Sequence, residues 1–505
     1  MKSKIVFLIL TMLLLRTCLI NAQNRNMVWT FGDSAGIDFT NIQNPIPIST
    51  GIDGRGSCVS ISDNAGKLLF YAGTSNKTFV PFPNLGYVFD SAHVQMLNGD
   101  SIRGTGWYKE LVLIPMPDDS TKYYLFSAGV TSGPGFSYSI VDMNQNGGLG
   151  EVVQKNVLLE SFNVVDGMTA VKHGNGRDWW VFIRNASMYS NQHYVFLITP
   201  NGIAPPFIQS TGSVNHTNAG RYEFSPDGLK LIYINLIGLM EIYDFDRCTG
   251  LISNPVTIHP EPTTAPFGRF WGCEFSASGR FLYVSTYNSI ESALFQYDLL
   301  AANPVASRCT LEYNPGLRVG NGFLRRGPDQ KIYFSRAWEC DAFPSCYPYP
   351  DSVYNQINMN LSVINSPDSL GLACNYTPYS FYLGGKRTYY GLPNNPDYEL
   401  PALAGSPCDT LVSQNELVGA AAVGSLHVFY HPAWEKAFIN ASNLKGKTGK
   451  LLVYDMQGKV VHSEPLRLQN GYYTKDLSMI GRAEGVYLVV VETEQERLVK
   501  KVLID

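Results

Sequence analysis

The stretch RYEFSPDGLKLIYI, from Arg221 to Ile234, consists of two strand-like segments around a short polar turn. A closely similar stretch, GCEFSASGRFLYVS, runs from Gly272 to Ser285. Both turns end in a glycine, Gly228 or Gly279, and glycine adopts a positive φ without the cost that a side chain adds. The repetition predicts that one hairpin unit is used several times in the chain.

The hairpin unit recurs along most of the sequence. Its turns are centred on Gly66, Ser120, Gly176, Gly228, Gly279 and Gln330, so the spacing is 51 to 56 residues. A period near 50 with one hairpin per repeat is typical of a β-propeller, in which each repeat forms a four-stranded blade. The alternation in LKLIYI, residues 229–234, gives the strand two faces to bury, one against each neighbouring blade.

The number of blades follows from the length of the repeat region. Residues 27–409 have room for about seven blades of roughly 54 residues. We predict that SVYNQINMNLSVIN, residues 352–365, and the loops after it supply the blade that follows the six visible hairpins. We also predict that MVWTFGDSAGIDF, residues 27–39, closes the ring against the last blade. Six blades with additional segments are the alternative.

The composition agrees with an all-β chain. Tyr, Phe, Gly and Pro number 30, 26, 46 and 29; aromatic residues favour strands, whereas Gly and Pro favour turns. Asp63, Asp227 and Asp329 lie in the hairpin turns. They are interpreted as turn formers, because a short Asp side chain accepts a hydrogen bond from the backbone two residues further on.

Several classes of function leave no trace in the sequence. The net charge is −4 and no long basic run occurs, so nothing points to nucleic acid as a partner. A Gly-rich phosphate loop, an HExxH zinc motif and a nucleophile elbow are all absent. DMNQNGGLGE, residues 142–151, starts like an EF-hand loop, but Val153 stands where the calcium-binding Glu belongs, so it is interpreted as a turn. We expect neither a cofactor nor a bound metal.

The N-terminus has the layout of a cleaved secretory signal. Lys2 and Lys4 precede an apolar run from Ile5 to Leu15, which is followed by INA. We predict a signal peptide over residues 1–22, cleaved after Ala22. The run is too short for a transmembrane anchor and no other stretch is long and apolar enough, so we expect no anchor in the mature protein.

Export to an oxidising compartment allows the cysteines to form disulfides. Eight remain after the signal is removed, and an even number in an exported chain favours disulfides. Because CDAFPSC closes a short loop, Cys340–Cys346 is the predicted pair, and the other connectivities stay open.

Four charged residues are candidates for a binding site. Glu223 and Glu274 occupy equivalent positions in two repeats, and Arg221 and Arg269 lie near the starts of the predicted inner strands. Residues so placed are expected to line a channel mouth. The other interpretation is that repeat symmetry alone put polar residues on the rim, because a fold does not fix an activity.

The order of the motifs carries a family resemblance. WTFGDSAGIDF, GSCVSISDNAGKLLFYAG, YSIVDMNQNGGLGEV, FSPDGLKLIY, IYDFDRCTGLIS and a late YYGLPN follow one another along about 380 residues. Together they resemble the exported WD40-like or lactonase-like β-propeller proteins of Bacteroidetes. The resemblance implies the fold and the export, and it leaves the ligand open.

The tail forms a second segment with its own pattern. After a linker at 410–425, residues 426–505 contain short alternating strands and Gly turns, which predict a small immunoglobulin-like β-sandwich. VYDMQGKVV, GVYLVVV and the terminal KKVLI resemble the type A C-terminal sorting domain of the type IX secretion system. The resemblance implies passage through the periplasm, recognition by the secretion machinery and removal of the tail. The protein is then expected in the medium or on the outer cell surface.

The resemblances lead to two hypotheses about function. The first is a non-catalytic binding protein for an extracellular glycan, peptide or protein, because a propeller presents a wide face built from loops. The alternative is a hydrolase or lyase for polysaccharides with carboxylates in the propeller channel. The Bacteroidetes resemblance also implies O-glycosylation at Asp-Ser or Asp-Thr sequences, and Ser352 and Ser369 are the favoured acceptors.

Overall fold

The structure is a computed structural model and describes residues 24–504, apart from 55, 76–85, 131–134, 188, 260–268, 288–290, 316–318, 339–352, 410–424, 432–434, 443 and 469–472. The chain divides into two compact units, Met1–Leu411 and Val412–Asp505. The predicted signal peptide lies outside the described residues. None of the described helices has the length and apolar character needed to cross a membrane.

The first unit is built from strands β1 to β26. In chain order they are β1 (Val28–Asp38), β2 (Ile46–Gly54), β3 (Cys58–Ser62), β4 (Leu68–Thr74), β5 (Gly86–Asp90), β6 (Leu111–Pro115), β7 (Lys122–Ala128), β8 (Phe136–Asp142), β9 (Glu151–Glu160), β10 (Thr169–Lys172), β11 (Trp179–Arg184), β12 (Ser190–Thr199), β13 (Gly202–Ile203), β14 (Phe207–Asn215), β15 (Gly220–Phe224), β16 (Lys230–Asn235), β17 (Met240–Phe245), β18 (Ile252–His259), β19 (Phe270–Phe275), β20 (Phe281–Thr286), β21 (Glu291–Asp298), β22 (Cys309–Pro315), β23 (Val319–Arg326), β24 (Ile332–Trp338), β25 (Asn360–Ile364) and β26 (Tyr376–Tyr382). Short 3₁₀ helices span Asn146–Gly148 and Gly371–Cys374.

Among the described residues, strands β3 to β26 form six antiparallel sheets in chain order. Sheet 1 is β3–β4–β5, sheet 2 is β6 to β9, sheet 3 is β10–β11–β12 with β13 and β14 on β12, and sheets 4, 5 and 6 are β15 to β18, β19 to β22 and β23 to β26. The first strands of neighbouring sheets contact each other, as β3 contacts β6 and β19 contacts both β15 and β23. This is the architecture of a β-propeller, with the first strands around a common centre.

The repeated hairpin is the turn between the first and second strands of a sheet. In sheet 4, Asp227 Oδ1 accepts a hydrogen bond from the Leu229 N–H at 2.9 Å, and Gly228 has a φ of 71°. In sheet 1, Asp63 Oδ1 accepts one from the Ala65 N–H at 2.8 Å. The interpretation of these aspartates as turn formers is confirmed.

The prediction that residues 352–365 supply a seventh blade is wrong. Residues Asn360–Ile364, from the segment predicted to supply that blade, form β25, which lies in sheet 6 between β24 and β26. The cause is the long connection between β24 and β25, which makes the second half of sheet 6 look like the start of a new repeat. The seventh sheet consists of two strands, β1 and β2.

Strand β1 joins the two ends of the ring. Its Trp29 ring lies 5.7 Å from the ring of Tyr333 on β24, in sheet 6. On the other side, the Ser60 hydroxyl on β3 donates a 2.7 Å hydrogen bond to the Val28 carbonyl. The prediction that residues 27–39 close the ring against the last blade is confirmed.

Residues 390–403, the central segment, run among the first strands of the sheets. Asn394 donates three hydrogen bonds that attach the segment to the surrounding parts of the chain. Its N–H donates to the Cys58 carbonyl at 2.8 Å, and its side-chain Nδ2 donates to the carbonyls of Leu111 and Met168, both at 2.9 Å. One residue thereby connects sheets 1 and 2 with the segment that leads into sheet 3.

The rest of the central segment continues the same pattern. Asn395 Oδ1 accepts a hydrogen bond from the Ser60 N–H at 2.9 Å, and the Tyr398 hydroxyl donates to the Leu113 carbonyl at 2.9 Å. The side chain of Tyr398 is 1% exposed. The central segment therefore occupies part of the centre of the propeller.

A disulfide joins Cys248 and Cys408, which are 160 residues apart. Cys248 lies in the turn between β17 and β18, and Cys408 follows the central segment. Gly174 packs against the bond, since a Cβ at that position would lie 2.9 Å from the Cys248 sulfur. The sequence did not predict this pair, and the predicted pair Cys340–Cys346 lies outside the described residues.

The second unit is a β-sandwich, as predicted for the tail. Its strands are β27 (Ser425–His431), β28 (Lys436–Ser442), β29 (Thr448–Tyr454), β30 (Val460–Arg467), β31 (Tyr473–Ser478), β32 (Gly485–Thr493) and β33 (Arg497–Ile504). The sheets β27–β28–β31 and β30–β29–β32–β33 share one core, to which Ile439 and Leu477 contribute from the first, and Leu451, Val489 and Val502 from the second.

We expect the double variant Cys248→Ser/Cys408→Ser to lower the free energy of unfolding by about 2–5 kcal/mol, because the bond closes a long loop in the unfolded chain. Denaturant titration followed by tryptophan fluorescence measures this change. The control is the wild-type protein with a thiol reductant, which should unfold at a lower denaturant concentration than without it. A wild-type midpoint that does not respond to reductant would contradict the prediction.

We expect Asn394→Ala to cost about 1–3 kcal/mol of unfolding free energy, because two buried carbonyls lose a hydrogen-bond donor. The matched control is Asn144→Ala, at an exposed turn, which should change the free energy by less than about 0.5 kcal/mol. Equal effects of the two substitutions would show that the central segment does not hold the sheets together.

Candidate functional site

Four aromatic rings close the centre of the propeller at one level, which we call the aromatic layer. Tyr108 lies 5.4 Å from Trp271, 5.8 Å from Phe323 and 5.7 Å from Tyr390, in edge-to-face arrangements. All four side chains are at most 5% exposed. Such pairs are favourable beyond the area that they bury, so the layer is a well-packed barrier across the centre.

Arg221 lies against the aromatic layer. Its guanidinium carbon is 4.6 Å from the Trp271 ring and 4.7 Å from the Phe323 ring, and its Nη2 is 3.0 Å from Asp166 Oδ2. Burial lowers the pKa of Arg221, and the charge of Asp166 acts in the opposite direction. Because Arg221 is 2% exposed and paired, it serves the packing of the centre and is closed to a ligand.

Charges of alternating sign follow at the next level, which we call the charged layer. Lys109 Nζ lies 2.8 Å from Glu223 Oε2. Arg325 Nη1 lies 3.3 Å from Glu223 Oε1 and 3.8 Å from Glu274 Oε2. Each carboxylate therefore has a cation within reach, as buried charges require.

Glu274 is held by the backbone as well. Its Oε1 accepts a hydrogen bond from the Phe275 N–H at 3.0 Å, and its Oε2 accepts one from the Arg326 N–H at 2.9 Å. Burial and the charge of Glu223 raise the pKa of Glu274, whereas Arg325 lowers it. The two backbone N–H donors fix the position of the carboxylate and favour its ionised form.

A cavity of about 240 Å³ opens beside the charged layer. Its walls come from residues 26–27, from β10, from the hairpins of sheets 4 and 6 and from the central segment, and Glu223 and Glu274 line it as well. Arg326 lies at the rim, where its Nη1 donates to Gln330 Oε1 at 2.7 Å and its Nη2 is 4.0 Å from Asp397. The cavity therefore offers a guanidinium and carboxylates to a small polar group.

The four charged residues that were predicted to line a channel mouth do not all lie at one site in the structure. Glu223 and Glu274 line the cavity, whereas Arg221 lies in the aromatic layer and Arg269 is exposed and outside the cavity wall. Of the predicted glycan acceptors, Ser369 is half-buried in a turn, where its N–H donates to the Ser366 carbonyl, and Ser352 lies outside the described residues.

Arg325 was missed, although the repeat contained a signal for it. It stands five residues before Gln330, just as Glu223 and Glu274 stand five residues before Gly228 and Gly279. Equivalent positions of three successive repeats thus place Glu223, Glu274 and Arg325 at the same level of the propeller centre. Lys109, Asp166 and Asn394 were missed as well, because they precede or follow the repeated hairpins.

The chain is similar to several solved structures at low sequence identity. A candidate 6-phosphogluconolactonase from Bacteroides fragilis is similar at 12% identity and a TM-score of 0.44, over 73% of this chain and 96% of that one. A quinonprotein alcohol dehydrogenase-like protein from Bacteroides thetaiotaomicron is similar at 11% and 0.35, over 73% and 76%. The Dos1 propeller is similar at 12% and 0.37, over 64% and 70%. Likenesses at this level carry no argument about activity.

No curated protein sequence matches this chain. Residues 427–505, however, match the family described as the secretion system C-terminal sorting domain. The matched part contains nearly all of the β-sandwich of the second unit. The protein is thus a β-propeller that carries a type IX secretion sorting domain at its C-terminal end and is exported to the cell surface or secreted.

Proposed function

We propose that the exported propeller is a non-catalytic binding protein that takes a terminal group of an extracellular glycan, peptide or protein in the cavity beside the charged layer. The observation that carries this proposal is the partial filling of the propeller centre. The central segment and the aromatic layer close off much of the centre, and Glu223 and Glu274, which line the cavity that is left, are paired with cations.

The size of the cavity supports binding of an end group. Sites that enclose a whole small molecule usually measure about 300–1,000 Å³, and this cavity, at about 240 Å³, is smaller. One sugar ring or one side chain fits this volume better than a polymer. The remainder of such a ligand would lie on the loops around the cavity, which are the usual place for recognition in a propeller.

The chemistry of the rim supports a ligand with a charged or strongly polar end. Arg326 is half-buried, and a guanidinium binds carboxylates or phosphates with two parallel hydrogen bonds. Asp397 and Glu399 are exposed at the same rim and offer acceptors for hydroxyl or ammonium groups. A ligand with hydroxyls and one ionised group could bind both the Arg326 guanidinium and the carboxylates of Asp397 and Glu399.

A polysaccharide hydrolase or lyase is the second candidate. In its favour, two glutamates share one arginine, and burial raises the pKa of Glu274, as in the acid of a glycosidase pair. Against it, two backbone N–H groups donate to Glu274 and favour its ionised form over the protonated form that an acid catalyst needs. The binding proposal requires no proton transfer, since an ionised carboxylate can accept further hydrogen bonds from a ligand.

We expect Arg326→Gln to weaken binding about ten-fold or more, because it removes a charge-assisted hydrogen bond at the rim. A ligand is first found with glycan and peptide arrays on the mature protein, and its Kd is then measured by calorimetry. Arg269→Gln is the matched control and should leave the Kd unchanged, since Arg269 lies outside the cavity wall.

Two results would overturn the binding proposal. One is an equal loss of affinity in both arginine variants, which would place the ligand elsewhere. The other is the release of shortened sugar products by the wild-type protein, with the release abolished by Glu223→Gln or Glu274→Gln, which would establish the hydrolase or lyase.

We expect deletion of residues Leu426 to Asp505 to leave a folded propeller in the periplasm, because the sorting domain is the part that the export route recognises. Cell fractionation with an antibody against the propeller measures the distribution. Met456→Ala, at an exposed position of the tail, is the control and should be exported normally. Normal export of the truncated chain would contradict the assignment of the tail.

A further inference from the structure

Two thiols of the propeller lie on neighbouring segments of sheets 5 and 6. Cys309 begins β22, and Cys374 ends the 3₁₀ helix Gly371–Cys374 between β25 and β26. In the structure both are free thiols. Cys374 is fully buried and Cys309 is half-buried.

The segment with Cys374 is docked onto the strands around Cys309 by one side chain. The Gln296 side-chain amide on β21 accepts a hydrogen bond from the Gly371 N–H and donates one to the Ser369 carbonyl, both at 2.7 Å. Gln296 is the register partner of Cys309 across β21 and β22. Partners in an antiparallel pair point to the same face of the sheet, so Cys309 faces the docked segment.

The short helix that contains Cys374 lies against the Cys309 sulfur. A Cβ on Gly371, the first residue of this helix, would lie 3.7 Å from the Cys309 sulfur. Cys374 is the last residue of the same helix and is its one buried residue. The pKa of the Cys374 thiol is raised by burial, and the nearby Cys309 adds to the increase, as two close thiols do.

We propose that Cys309 and Cys374 form a disulfide in the exported protein, which fastens the segment between β25 and β26 to the edge strand of sheet 5. Cys309 is the more exposed thiol, and as a thiolate it attacks the disulfide of a periplasmic dithiol–disulfide oxidoreductase. The Cys374 thiolate then attacks the Cys309 sulfur of the mixed disulfide. One S–S bond forms in the propeller, two thiol protons are lost, and two electrons reduce the oxidoreductase to its dithiol.

Peptide mapping of the mature protein tests the bond directly. Protein from the native host is alkylated before unfolding and digested without reductant. Trypsin alone leaves Cys340, Cys346 and Cys374 on one peptide, so a protease that cuts before Asp is added, which separates them at Asp341 and Asp368. We expect one cross-linked peptide pair that contains Cys309 and Cys374.

Two results of the peptide mapping would contradict the Cys309–Cys374 disulfide. Alkylated, unlinked Cys309 and Cys374 would overturn the proposal, and so would a link from either one to Cys340 or Cys346. A second measurement uses the background Cys248→Ser/Cys340→Ser/Cys346→Ser/Cys408→Ser, which also removes the predicted Cys340–Cys346 pair, and reductant should still lower the denaturation midpoint of this background. Adding Cys309→Ser should abolish that response, whereas adding Cys273→Ser, at a buried free thiol, should preserve it. A response that survives Cys309→Ser contradicts the proposal.

Discussion

The propeller depends on how its first strands are held around the centre. These strands have neighbours on only one side within their own sheets, and their inward carbonyls must find donors elsewhere or lose free energy. The amide of Asn394 supplies donors to two of them, and its N–H bonds to a third. A later part of the chain thereby donates hydrogen bonds to three earlier parts, so these bonds exist only when the central segment is in place.

The charged layer requires that buried charges are paired, in addition to the hydrogen bonding of the first strands. In this layer Lys109 and Arg325 face Glu223 and Glu274, and the Arg221–Asp166 pair beside the aromatic layer adds a third cation and a third anion to the interior. Buried pairs of this type add little net stability, but removal of one partner costs about 3–5 kcal/mol because the other charge is left unpaired. The layer therefore favours one mutual arrangement of the sheets over others that would bury the same apolar area.

The sequence predicted what depends on local chemistry and missed what depends on distant contacts. The hairpin turns were predictable, because Asp227 and Gly228 act within a few residues of themselves. The seventh sheet was assigned to the wrong segment, because nothing local distinguishes the second half of sheet 6 from a new repeat. Glu223 and Glu274 were recognised from their repeat position, but their partner Arg325 was not, although it holds the same position. Cys248 and Cys408 had no sequence signal at all, since their pairing depends on the path of the central segment.

The position of the disulfide has a mechanical consequence. Cys408 is the last cysteine before residues 410–424, which lead to the tail. A force on the chain from beyond that point passes through the sulfur bridge into the turn between β17 and β18, and it bypasses Asn394 and its neighbours. The bond thus shields the hydrogen bonds of the centre from tension applied to the chain beyond residue 408.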